Sequence, residues 1–288
     1  MTSVKQAKGW WVGVRLAAGL VIALAVAASY AGAGVIAAGA VAALLAFGSA
    51  LPPGEPLSPD RRTAAVSTIS QLSLAAVSAT AFGAYAFPEY PRYAAAALLV
   101  VAVALATLGV RLPGSVTRAV TGVLALGGVL LLAVSFGIEP VNTTPPQGAT
   151  VAGFALAVAA LYPAFTTARG PRPVVRSLVT AVFGLAIIVG AVYQLGAGRL
   201  GLSLTSMKDL VTAADAARFT TALLLFVVLA TVTATLDTVA ELPAGRETWA
   251  WTVAAVAVVV AGGPVVTLVL ATLAGLGEAV LRYRAHRG

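Results

Sequence analysis

Charged residues in this chain are confined to short clusters, and between the clusters the sequence runs apolar for roughly twenty residues at a time. A helical run of that length matches the hydrocarbon thickness of a bilayer. Of 288 residues, 60% are apolar and only 10% charged, too few charges to cover the surface of a soluble fold. The expected fold is all-α, a polytopic transmembrane helical bundle. It forms a single integral membrane domain over residues 1–288, set in the plasma membrane.

Eight spans stand out, at Trp11–Tyr30, Val35–Leu51, Ala64–Phe87, Tyr93–Val110, Ala119–Ile138, Ala149–Thr166, Ser177–Gly196 and Phe219–Val239. Only Ala31-Gly32-Ala33-Gly34 separates the first two, so that link is a tight hairpin or a break in one helix. Prolines punctuate the rest: the Pro52–Pro59 cluster closes the second span, Pro88 and Pro91 part the third from the fourth, and Pro145-Pro146 precede the sixth. The last apolar stretch, Thr248–Tyr283, is too long for one crossing and is interrupted at Gly262-Gly263-Pro264. It is one kinked helix or two spans, making nine or ten in all.

Basic residues decide between these counts. With Lys5 and Lys8 inside, alternate links place Arg61, Arg62, Arg111, Arg118, Arg169, Arg172, Arg176 and Arg246 on the same side. The tail arginines at 282, 284 and 287 join them only if Thr248–Tyr283 crosses twice. Fourteen basic residues, Arg15 included, then lie inside, against Arg92, Arg199, Lys208 and Arg218 outside. The positive-inside rule thus favours ten spans with both termini cytoplasmic. The same bias accounts for the net charge of +8 without a nucleic-acid partner, since no reader motif is present. Arginine outnumbers lysine fifteen to three and small apolar residues dominate, which suggests a GC-rich, prokaryotic source. No cleavable leader is expected, because the first apolar run is long and no small-residue cleavage signal closes it.

Catalytic groups are scarce. The chain has no cysteine and one histidine, His286, in the basic tail. Paired carboxylates, His-Glu-x-x-His and Gly-x-Ser-x-Gly are all missing, so neither an enzyme nor a metal or cofactor site is expected. Arg15 can snorkel to the boundary, and Asp237 and Glu278, near the ends of their spans, are expected to be solvated at the interface. Uncharged polar groups remain. Gln71 sits about 12 Å into the third span by helical rise, amid Thr68, Ser70, Ser73 and Ser78. Its amide must meet a partner helix or a wet cavity. Thr231 and Thr235, one turn apart, either line a path or bond their own backbone. Tyr162-Pro163 interrupts the sixth span as a kink or an unwound turn. In the longest external link, Ser206-Met207-Lys208-Asp209 and Thr212-Ala213-Ala214-Asp215 have capping-box form, which predicts a short interfacial helix and a capped eighth span. Asn142-Thr143-Thr144 is a three-residue glycosylation sequon.

Two links carry a family resemblance. Leu108-Gly109-Val110-Arg111-Leu112-Pro113-Gly114-Ser115-Val116-Thr117-Arg118 resembles the cytoplasmic connection between the fourth and fifth helices of the amino acid–polyamine–organocation (APC) transporter superfamily. Gly170-Pro171-Arg172-Pro173-Val174-Val175-Arg176-Ser177 resembles the link that feeds its seventh helix. The resemblance covers about half the chain and implies two inverted five-helix repeats, here 1–145 and 146–288. The glycine-rich break of the family's first helix has no counterpart, since Val12-Gly13-Val14-Arg15 puts an arginine among the small residues. The phenylalanine–glutamate signature of its sixth helix is also absent.

Two functions follow as expectations. One is a secondary transporter-like protein for a small solute, its pathway near Gln71, Tyr162, Pro163, Thr231 and Thr235. The other is a non-transporting scaffold or assembly subunit in which partner subunits in the bilayer supply the activity.

Overall fold

The computed structural model describes residues 14–51, 61–137, 148–167, 173–213, 219–240, 242–243 and 245–287. Among these residues every regular element is helical: α1 (Val14–Ala31), α2 (Val35–Ala50), α3 (Arg61–Ala86), α4 (Pro91–Thr107), α5 (Gly114–Gly137), α6 (Val151–Phe165), α7 (Pro173–Leu200), α8 (Ser206–Ala213), α9 (Thr220–Val239), α10 (Arg246–Ala257) and α11 (Gly263–Arg287). Each expected span has a helical counterpart, and a short helix, α8, forms in the longest link as expected. Pro91 opens α4 at its first turn, where a missing N–H costs nothing. Thr150 caps α6 by accepting from the Gly153 N–H at 3.0 Å.

Six helical stretches are long and apolar enough to cross a membrane: Leu16–Ala50, Thr63–Ala86, Gly114–Gly137, Pro173–Leu200, Thr220–Val239 and Arg246–Arg284. Two shorter apolar helices, Pro91–Thr107 and Val151–Phe165, accompany them. The outer face of α5 exposes Val123, Leu126, Val129 and Leu130, a surface compatible with a membrane location.

The first and last of the six stretches, 35 and 39 residues, exceed a bilayer's thickness, and both change direction at a glycine. Gly32 lies at φ 49° in a 3-10 turn, Gly32–Gly34, between α1 and α2. Gly263 lies at φ 68° after a π-helical turn, Val258–Gly262, between α10 and α11. Side chains other than glycine disfavour that region, so each glycine permits a bend that a continuous helix would refuse. Packing shows how far the chain turns. A Cβ on Gly19 would lie 3.0 Å from the Ala164 Cα, and Gly153 abuts the Tyr30 carbonyl, so α1 runs antiparallel to α6. Gly39 faces Leu161, and α2 continues along α6 in the direction of α6. The chain therefore reverses at Gly32–Gly34.

The second reversal follows from connectivity. Six residues lie between Val239 and Arg246, a link that reaches at most about 25 Å, so α10 starts near the end where α9 finishes. The π turn at its far end meets Arg92, whose guanidinium donates to the Val260 carbonyl at 3.2 Å. From there α11 returns antiparallel to α3, reaching Gln71 with Glu278.

One large core cluster joins α1, α2, α6, α7 and parts of α3, α8, α9 and α11, with Tyr162, Phe165, Leu20 and Ile188 among its filled positions. A second joins α3 and α4 to Val239 and Val259. The amphipathic α8 buries Met207, Leu210 and Val211. Its Met207 N–H donates to the Tyr85 hydroxyl at 3.3 Å, which pins α8 to α3. The expected capping box at Ser206 does not form. Ser206 is already the first helical residue, the Thr205 carbonyl accepts the first helix bonds, and the Ser206 hydroxyl has no partner among the described residues. Asp215 of the second box, the sequon at Asn142, and the side chains of Arg15 and His286 lie outside what the structure describes.

Candidate functional site

A polar pocket of about 100 Å³ opens at the seam of α2, α3, α6 and α11, towards the end where α3 begins and α11 finishes. Ser49 of α2, Ser70 and Gln71 of α3, Tyr162 of α6, Thr166 and Thr167 just beyond α6, and Glu278 and Arg282 of α11 line it. Glu278 and Arg282 face the same way because they are four residues apart on one helix. The Arg282 Nη2 donates to the Glu278 Oε1 at 2.6 Å. Interfacial solvation, expected for Glu278, is not what the fold provides: the residue is 8% exposed, walled in by α3 and α6. Arg282 keeps 17% of its side chain exposed, and its buried Nε has no partner among the described residues.

Gln71 is half-buried at the pocket edge and makes no hydrogen bond among the described residues. Of the two expectations for its amide, it therefore borders a cavity rather than bridging to a neighbouring helix. Tyr162 is almost fully buried, with its hydroxyl directed towards Ser49, whose own hydroxyl donates to the Ala46 carbonyl. Gly275 comes close to its ring, which lets α11 approach α6 here.

Pro163 lies inside α6 rather than at a break: the helix continues to Phe165, and Thr166 then turns extended. Without an N–H, Pro163 leaves the Ala159 carbonyl, one turn back, without its helical donor. The Thr272 hydroxyl of α11 takes that carbonyl and also donates to the Leu268 carbonyl at 3.1 Å. The proline thus produces a side chain-to-backbone tie between two helices, three residues before Gly275 in α11.

Thr231 and Thr235 do not join this pocket. Both are fully buried on α9 and donate to their own helix at 2.7 Å, Thr231 to the Val227 carbonyl and Thr235 to the Thr231 carbonyl. With their hydroxyls satisfied, they pack as small apolar residues would. The structure therefore brings together Gln71, Tyr162 and neighbouring Pro163, and separates the two threonines from them.

Four polar residues escaped the sequence reading of the site. Glu278 and Arg282 looked interfacial because they lie near a span's end, although their i, i+4 spacing signalled a pair. Thr272 gave no signal, since its partner carbonyl is set by a proline 109 positions earlier. Gln194, two residues before the bend of α7 at Gly196, is fully buried.

A second cavity, about 230 Å³, lies among α1, α5, α7 and α9 and is almost wholly apolar. Leu16, Leu20, Leu124, Phe183 and Phe226 wall it, and Met207 of α8 borders it. No protein-family model matches the chain, and no curated protein matches it.

Proposed function

We propose that the chain is a ten-span membrane protein of two inverted five-helix repeats that acts as a secondary transporter for a small polar solute, using the pocket at Gln71, Tyr162, Glu278 and Arg282 as a binding station. The pocket carries this reading. It gathers a carboxylate, a guanidinium, an amide and hydroxyls from four helices in a bundle that is otherwise apolar, and such groups inside a membrane bundle mark solute paths more often than packing. Support for the repeats comes from packing. Matching α1–α5 to α6, α7, α9, α10 and α11 in order makes α1·α6, α2·α7 and α3·α9 counterpart pairs, and each pair is in direct contact. That arrangement agrees with the APC resemblance of the two arginine-bearing links. We read the protein as a carrier rather than an enzyme, in keeping with the sparse catalytic groups of the sequence.

One observation favours the scaffold reading instead. The close approach of Gly19 to Ala164 packs α1 directly on α6, and neither helix is unwound where they meet. Reconstitution separates the two. Purified protein in proteoliposomes should take up a small polar solute from a labelled panel, and Gln71→Leu should abolish that uptake while the protein stays monodisperse. Failure of every solute, together with stoichiometric co-purification of a second membrane protein, would establish the scaffold.

A further inference from the structure

The charge balance of the pocket restricts what it can hold, an inference that rests on its being a solute station. Within the described lining Glu278 and Arg282 pair at 2.6 Å with opposite charges, and Ser49, Ser70, Gln71, Thr166 and Thr167 are uncharged. Tyr162 is the remaining titratable group described in the lining, and its hydroxyl lies towards Ser49. An ion entering this site would meet no unbalanced charge among the described lining residues, and its own charge would be costly to take into the bundle. A net-neutral solute leaves the Glu278–Arg282 pair intact.

Two groups then state which neutral solute. The Arg282 Nε–H is buried without an acceptor among the described residues, and a guanidinium donor left so is costly. Gln71 at the rim offers an N–H₂ donor and a carbonyl acceptor, neither hydrogen-bonded among the described residues. A hydrocarbon would satisfy neither group. The volume, about 100 Å³, admits several waters or one solute of a few heavy atoms.

We propose that the pocket binds a small uncharged amide of the urea or primary carboxamide class. Its carbonyl oxygen accepts from the Arg282 Nε–H, and its N–H₂ group donates to the Gln71 carbonyl or to the pocket's hydroxyl oxygens. A planar amide carries an acceptor and donors on one small rigid frame, so one molecule answers both demands.

Equilibrium binding to the purified protein tests this with four labelled probes of similar size: urea, acetamide, acetate and methylammonium. Saturable binding of urea or acetamide, with both ions at background, is expected. Gln71→Leu should weaken it at least tenfold, whereas Gly122→Ala, a position with open space around it, should not change it. Arg282→Gln alone removes the guanidinium paired with Glu278 and risks misfolding. The double variant Glu278→Gln/Arg282→Gln removes both charges together and should fold, yet lose amide binding. Acetate or methylammonium binding saturably while the amides stay at background would overturn the solute class and leave the station reading standing. Binding of amides unchanged in both Gln71→Leu and the double variant would overturn the assignment to this pocket. Binding of none of the four overturns the proposal, and if the reconstitution panel also fails, the station reading falls with it.

Discussion

Pro163 and Thr272 should behave as one unit. Thr272→Val keeps shape but removes the α11 hydroxyl that donates to the Ala159 carbonyl, which Pro163 cannot serve. Hydrogen bonds between membrane helices are worth about 0.6 kcal/mol on average and up to about 1.7. A buried carbonyl left unpaired costs roughly 1–3 kcal/mol. The loss should therefore be about 1–2 kcal/mol. In a Pro163→Ala background the backbone N–H restored at position 163 reaches the Ala159 carbonyl within α6, and Thr272→Val should then cost only a few tenths, roughly the additivity error of distant sites. The weaker bond from Thr272 to the Leu268 carbonyl is lost in both backgrounds and cancels. Mixed-micelle unfolding of the four proteins, followed by far-UV circular dichroism, yields a coupling energy of about 1 kcal/mol if the reasoning holds. Equal costs of Thr272→Val in both backgrounds would refute it.

Three further outcomes follow from the packing. Tyr85→Phe removes the acceptor of the Met207 N–H and should loosen α8 by about 1 kcal/mol, seen as faster amide exchange across Ser206–Ala213 with α3 unaffected. Gly19→Leu forces a side chain into the Ala164 backbone and should destabilise by more than about 3 kcal/mol or block folding, while Gly122→Ala, with nothing within 4 Å of its new methyl, should stabilise α5 by about 0.5–1 kcal/mol, both measured by the same unfolding titration. Single cysteines at Arg246 and Arg284, in a chain with none of its own, should both be shielded from an impermeant thiol reagent in intact cells while one at Gly148 labels; labelling at one of the two arginine positions alone would remove the second reversal from the topology.

What the sequence determined by itself was the set of helices and the places where they stop. Apolar run length, proline at Pro91, and the glycines at Gly32–Gly34 and Gly262-Gly263 act within a few residues of chain, and in an apolar setting the backbone must satisfy itself locally. The sequence also marked Gln71 and Tyr162-Pro163 as out of place in a span. It could not rank them against Thr231 and Thr235, because a hydroxyl that bonds its own helix and one that lines a cavity are the same residue on paper. Tertiary structure decided that Glu278 is buried, that Arg282 shares its pocket with Gln71, and that Thr272 answers Pro163. Those residues lie more than a hundred positions apart, save the Glu278–Arg282 pair. Whether a polar group is solvated, paired or left facing a cavity depends on the neighbours that packing places beside it, and α6 and α11 meet where α6 packs on α1, α11 packs on α3, and α1 and α3 pack on each other.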